Sequence, residues 1–378
     1  MKLSVKRYHE KQWDGPLPSE MDSSNTLVLV FAAPCYKKDP AAIAEIYANF
    51  PNSVVAGCST AGEIFGSQLS DESISVAIAQ FESTRLRSTS FHIAMNEQSF
   101  QAGEGLAREL LEDDLKAVFI LSDGLCVNGS ELVRGISSVL PSEIVIGGGL
   151  AGDGSAFKET WVLHDKKPSP SYVSIVGFYG QNILVRASSL GGWDVFGPER
   201  LVTKSEGNVL YELDGKPALT LYKEYLGERS AELPASALLF PLSLRSEEQG
   251  RKGLVRTVLA VDEEKNSMTF AGDIPEGSYA QLMKANFDRL VSGAAGAAEM
   301  VSKGASQSSE LLAIAISCVG RRLVLGAHTE DETEAVVGVL PPQAKQVGFY
   351  SYGEISPTGT GKCDLHNQTM TITTIAEK

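Results

Sequence analysis

Three short segments share a spacing that could hold a small charged molecule: Gly57-Cys-Ser-Thr-Ala-Gly62-Glu63, Gly147-Gly-Gly-Leu-Ala-Gly152-Asp153 and Gly348-Phe-Tyr-Ser-Tyr-Gly353-Glu354. Each follows a short apolar run, which puts it at a strand end, the usual place for binding loops. Glycine there admits positive φ and lets a ligand approach backbone N–H groups, which can cradle a carboxylate. The acids Glu63, Asp153 and Glu354 then offer a partner for an ammonium group. An amino acid needs both. The alternative is a tight turn whose acid caps neighbouring backbone.

The third segment is the richest. Tyr350 and Tyr352 lie two residues apart, so a strand presents both phenols on one face. Arg321 comes soon after the apolar run Leu311 to Ile316 and carries the planar fork that fits a carboxylate. The expectation is that Arg321, Tyr350 and Tyr352 receive the anionic end of a ligand and Glu354 the cationic end. Arg321-Arg322 as a solvated basic pair is the competing reading. Trp193, in Gly191-Gly-Trp-Asp-Val-Phe196, suits a pocket wall or an anchor between domains. Cys58, or Ser59 beside it, is a candidate nucleophile, although Gly57 to Ala61 lacks the second glycine of a nucleophile elbow.

Other motifs fail on their context. Gly147-x-Gly149-x-x-Gly152 matches a dinucleotide fingerprint, but Lys158 to Leu163 reads as a strand where a helix is required. The segment 356–363 resembles a phosphate loop with Ser for its first Gly and Cys for its final hydroxyl residue. Cys363-x-x-His366 is half of a zinc set. His92, His164 and His366 each lie beside apolar residues, the setting of an axial haem ligand, and no CxxCH permits covalent attachment. No cofactor is expected, with b-type haem as the alternative.

The elements that must position these residues form an internal repeat. Strand, loop, mostly helix, Phe or Leu before Pro, short strand and glycine turn recur from Leu27, from Ala117 and from Leu311. After the first two copies, Ile74 to Phe81 with Arg85 to His92, and Tyr172 to Phe178 with Asn182 to Ser188, read as paired antiparallel strands. Helices are expected over 97–112, over 209–226 with a break at Asp214-Gly215, and over 279–303. The fold class is therefore mixed α/β, in two related modules of residues 1–185 and 186–378.

The chain has 378 residues, enough for two domains, with 33 Lys plus Arg against 47 Asp plus Glu and a net charge of −14. That field repels phosphate backbones and anionic lipids, so neither nucleic acid nor membrane is an expected partner. The apolar runs fall short of the ~20 residues of a membrane span, and the N-terminus lacks a signal-peptide apolar core. Five scattered cysteines suit reduced thiols, so a cytoplasmic location is expected.

The motifs together resemble the FIST family, an N-terminal module in tandem with a C-terminal one. The likeness rests on Val55 to Ile64, Leu121-Ser-Asp-Gly124 and Gly147 to Asp153 for the first. For the second it rests on Gly192-Trp193, Val202-Thr-Lys204, Leu210 to Gly215, Ser317 to Arg321, Gly348 to Ile355 and Leu365-His-Asn367. The resemblance implies a sensory module that binds a small ligand such as an amino acid and signals to a separate output protein, a kinase or an adaptor. It also implies a haem-binding, nitric oxide-sensing alternative in a subset, and it supplies no catalytic residues.

Overall fold

The computed structural model describes residues 1–233, 235–245, 253–303, 310–358 and 362–378. The phosphate-loop-like segment falls partly outside them. The architecture is mixed α/β. Three repeats each supply a strand, a helix and a second strand parallel to the first. They are Thr26–Ala32, Ala41–Asn49 and Val54–Ser59; Leu115–Ser122, Gly129–Val139 and Val145–Leu150; and Leu311–Cys318, Thr329–Val339 and Ala344–Ser351. The first strands read as unbroken apolar runs because both faces are covered. Inner-facing Leu29, Phe31, Phe119, Ile314, Ile316 and Phe349 meet in one apolar core shared by all three sheets. Outer faces are covered by helices, among them Ser99–Leu110, which fulfils the helix expected over 97–112.

The strands that follow each repeat exist but do not pair as expected. Ile74–Gln80 pairs with Thr26–Ala32 and Lys2–His9, whereas Arg85–His92 crosses to the second sheet and pairs with Tyr172–Tyr179. Likewise Ile183–Leu190 leaves Tyr172–Tyr179 and joins Met370–Glu377 in the third sheet. The crossing turn obtains elsewhere the partners that a hairpin would give it. The N–H groups of Glu82, Ser83 and Thr84 donate to the Glu377 carboxylate at 2.6, 2.9 and 2.8 Å.

Short hairpins travel the other way around. Glu63–Phe65 with Gln68–Ser70 extends the third sheet, Val162–His164 with Lys167–Ser169 the first, and Gly353–Pro357 with Cys363–His366 the second. Each repeat thus lends strands to its neighbours, and the three sheets close into a pseudo-threefold ring. Strands from both sides of residue 185 share the second and third sheets.

A fourth, eight-stranded sheet forms a lobe inserted between Ile183–Leu190 and Phe287–Ser302, with its own core of Leu210, Leu219, Tyr222, Met268, Phe270 and Leu282. Two expected helices change here. Residues 209–226 are the strand Val209–Leu213, a turn at Asp214-Gly215 and the helix Ala218–Leu226. Asp214 and Gly215 both take positive φ, 53° and 72°, the geometry of a tight hairpin turn. Residues 279–303 are the strand Tyr279–Lys284 and the helix Phe287–Ser302. Asn286, whose side chain accepts from the Arg289 N–H, caps that helix and stops it from extending backwards.

Candidate functional site

The three glycine turns converge, backbone against backbone. Gly152 N donates to Ser59 O at 3.0 Å, Tyr352 N to Leu150 O at 3.2 Å and Ala61 N to Tyr350 O at 2.8 Å, a cyclic set around the pseudo-threefold. These bonds occupy N–H groups that were expected to cradle a carboxylate. The register also corrects the repeat by one residue. Val30 faces Gly57, Ile120 faces Gly148 and Ala315 faces Gly348. A Cβ at those glycines would stand 2.4, 2.0 and 1.8 Å from the facing carbonyl oxygen, so each must be glycine. Gly148, not Gly147, is the counterpart of Gly57, and Asp153 occupies the place of Gly62 and Gly353.

The acids accordingly do different things. Glu63 is buried; it accepts from Thr60 Oγ1 and, at 2.9 and 2.8 Å, from the N–H and hydroxyl of Ser73. Glu354 is buried in the equivalent way, accepting from Ser351 Oγ at 2.7 Å and from the N–H and hydroxyl of Thr369 at 3.2 and 2.9 Å. Burial outweighs these hydrogen bonds and pushes the carboxyls up to about 7 and about 8. Asp153 accepts from the N–H groups of Phe157, Lys158 and Glu159, each at 2.8 Å, and from the Tyr352 hydroxyl. Its burial acts upward, but Tyr352 and those N–H groups hold it below the usual carboxylate value. Glu63 and Glu354 tie their turns to Ser73 and Thr369, and Asp153 braces the loop that follows it, so each carboxylate is engaged by protein donors where an ammonium group was expected.

Arg321 and Tyr350 do meet, on a protein carboxylate instead of a ligand. Arg321 is fully buried; Nε and Nη2 donate to Glu332 Oε2 at 3.0 and 2.5 Å, Nη2 donates to Leu290 O at 2.9 Å, and Nη1 donates to the carbonyls of Gly191 and Gln368. Tyr350 and Ser317 hydroxyls donate to Glu332 Oε1 at 2.7 and 2.8 Å. The fork has no capacity left for a ligand. Tyr352 instead stacks on Phe157, ring centroids 4.5 Å apart. Cys58 lies wholly inside the shared apolar core, where burial pushes its thiol up and disfavours the thiolate that a nucleophile needs. Trp193 is an anchor: its Nε1 donates to Gln368 O at 2.8 Å and its ring packs with Met283, Leu290 and Leu325.

The haem candidates lie in two places. His164 stacks on Tyr172 with His92 edge-on to the same ring, while His366 bonds Ser356 O at 3.0 Å and is held neutral by burial. Among the described residues no group of three or more His, Cys, Asp or Glu could hold a metal ion.

An open site lies elsewhere. A cleft of about 1000 Å³ separates the helix Gly129–Val139 of the ring from the inserted lobe, and Arg256 of the strand Leu254–Arg256 forms part of its wall. Gly272 makes room for that arginine, since a Cβ there would stand 2.9 Å from Nε. Arg256 is 3% exposed, and its Nε and Nη1 donate to Asp273 O and Leu365 O at 3.1 and 2.9 Å. Its Nη2 donates no hydrogen bond among the described residues and stands 3.8 Å from Asp364 Oδ1. Asp273 joins lobe to ring through Asn128 Nδ2 at 3.1 Å. Burial and the facing Asp273, against Arg134, raise the Glu131 carboxyl at this mouth. The sequence did carry a signal: an arginine inside the mostly apolar run Leu254-Val-Arg-Thr-Val258 needs a buried reason.

An uncharacterized protein of Methanocaldococcus jannaschii is 31% identical over 163 residues, 39% of this chain and 30% of that protein, so the chain spans under a third of that relative's length. A crystal structure of cyanuric acid hydrolase from A. caulinodans is 10% identical with a TM-score of 0.18, over 78% of this chain and 99% of that one, a likeness that carries no argument. The FIST N domain model matches residues 26–216 and the FIST C domain model residues 218–357. Two complete strand–helix–strand repeats fall within the first match and the third within the second, and the chain belongs to the FIST family, with its N and C domains in tandem.

Proposed function

We propose that this protein is a sensory module of the cytoplasm that binds a small carboxylate-bearing metabolite, an amino acid or a similar molecule, in the cleft between ring and lobe. Binding there signals to a separate output protein, a kinase or an adaptor. FIST domains are associated with signal transduction and small-ligand sensing. The observation that carries the location is Arg256, a nearly buried guanidinium on the cleft wall whose Nη2 stands 3.8 Å from Asp364 and has no hydrogen-bond acceptor among the described residues. A buried cation of that kind gains from a carboxylate. Asp273 and Asp364 stand beside it for an ammonium group.

A thermal-shift screen of the twenty amino acids, with haem as a separate arm, tests the reading, because a ligand that binds only the native state raises Tm by mass action. At least one amino acid should raise Tm for the wild type and fail to do so for Arg256→Gln. A hit that shifts both proteins equally removes the cleft from the function.

A further inference from the structure

We infer that the ligand of this cleft is an amphiphilic carboxylate, with its head on Arg256 and an extended apolar body that passes the helix Gly129–Val139 to reach the apolar lining beyond it. The inference rests on the cleft reading above and narrows it. Size is the first reason. At about 30 Å³ per water the cleft has room for some thirty waters, and it lies at the top of the ~300–1,000 Å³ that drug-sized ligands fill. A free amino acid would leave most of it wet.

The second reason is how polarity changes along the cleft. At one end Ser130 Oγ accepts from the Asp273 N–H at 3.4 Å, and Asp273 O accepts from Arg256. From Ser130 the helix runs about 15 Å, at 1.5 Å per residue, past Arg134, Ser137 and Ser138 to Leu140, after which Ile144 and Ile146 continue the lining as apolar residues. Across the cleft Leu254 lies on the same strand face as Arg256, two residues back, and pairs directly with Leu244. A buried arginine and an apolar group of Leu140, Ile144, Ile146, Leu244 and Leu254 in one cleft fit a head and a tail.

Charge is the third. Two of the lining cations are already paired, Arg134 with Glu131 at 2.7 Å and Arg245 with Glu199 at 2.8 Å, whereas the Arg256 Nη2 stands 3.8 Å from Asp364 on the cleft wall. An incoming carboxylate therefore finds its partner at Arg256.

Isothermal titration of the full chain with acetate, hexanoate and decanoate, the last below its micelle-forming concentration, tests this, with decanol as the neutral control. Affinity should rise roughly two- to fourfold per added methylene, and decanol should bind at least tenfold more weakly than decanoate. Arg256→Gln should bring decanoate down to the level of decanol. Because Arg256 also joins lobe to ring, a second variant is needed: Ser137→Trp, at an exposed helix position, should fill the wall and weaken decanoate at least tenfold with Tm unchanged. A flat series, alongside an amino acid whose binding Ser137→Trp blocks, overturns the amphiphile and leaves the cleft. A chain-length gain that Ser137→Trp does not touch overturns both, as does silence from every carboxylate and amino acid.

Discussion

Arg321 shares a buried carboxylate with Ser317 and Tyr350, so its removal leaves Glu332 charged and under-partnered in the interior. Breaking such a pair from one side costs about 3–5 kcal/mol. Arg321→Ala should therefore lower the unliganded stability by that amount in urea unfolding, and a variant as stable as the wild type would contradict the assignment. Glu63 and Glu354 set a pH dependence of definite sign. Unfolded, both release protons near 4.5; folded, they hold them to about 7 and about 8. The folded state binds more protons in that window, so stability falls as pH rises from about 4.5 to 8, by roughly 3 kcal/mol for Glu63 alone. Glu377 acts in the opposite sense. Hydrogen bonds from 82–84 hold it down to about 2 despite burial, so its contribution is present above pH 4.5 and is lost only as pH falls through about 2. Urea midpoints should decline between pH 5 and pH 8, and Glu354→Gln should flatten the decline; an unaltered slope would refute it. That Arg321 and Tyr350 come together was legible from their places in one repeat. Their partner was not, since Glu332 lies on a helix whose inward face only the fold reveals.

The strands and turns record a duplication that the sequence displays and misaligns. Matching Gly147 to Gly57 follows the letters, whereas the ladder matches Gly148, because only there does the facing carbonyl leave no room for a Cβ. Gly148→Ala should cost about 3 kcal/mol or prevent folding, as its Cβ would fall 2.0 Å from Ile120 O at a φ of 146°. Gly147→Ala meets side chains alone, Thr373 Oγ1 at 2.9 Å and the Ala187 Cβ at 3.8 Å, and should cost about 1 kcal/mol. Equal losses in thermal unfolding would return the register to the sequence alignment. Local sequence also marks Arg85–His92 and Ile183–Leu190 as strands, and it cannot say that each pairs in the next sheet. Pairing partners depend on which edge is open, a property of the assembled ring.

At the scale of the whole molecule the ring explains why both chain ends lie together: the Met1 amino group is 3.5 Å from Glu377, and Lys378 N donates to Asn182 O at 2.9 Å. Lys2–His9 borders Ile74–Gln80 as Arg85–His92 borders Tyr172–Tyr179, so the ring continues across the termini. A permutant with the ends joined by a short Gly/Ser linker and opened between the exposed Met95 and Asn96 should fold with a Tm within about 5 °C of the wild type. Failure to fold would show that the ring needs its break between residues 378 and 1. The inserted lobe was hidden in sequence because its hairpin at 214–215 and its strand at 279–284 continue helical patterns, and with it the cleft was hidden too. The account stands on that cleft being where a ligand binds. Hydrogen–deuterium exchange of the full chain, with and without the strongest hit of the amino-acid and carboxylate screens, tests it most directly. The account predicts protection at 130–141, 254–258 and 362–366, on both walls of the cleft; protection confined to the glycine turns at 59–63, 150–154 and 350–354, with the cleft unchanged, would contradict it.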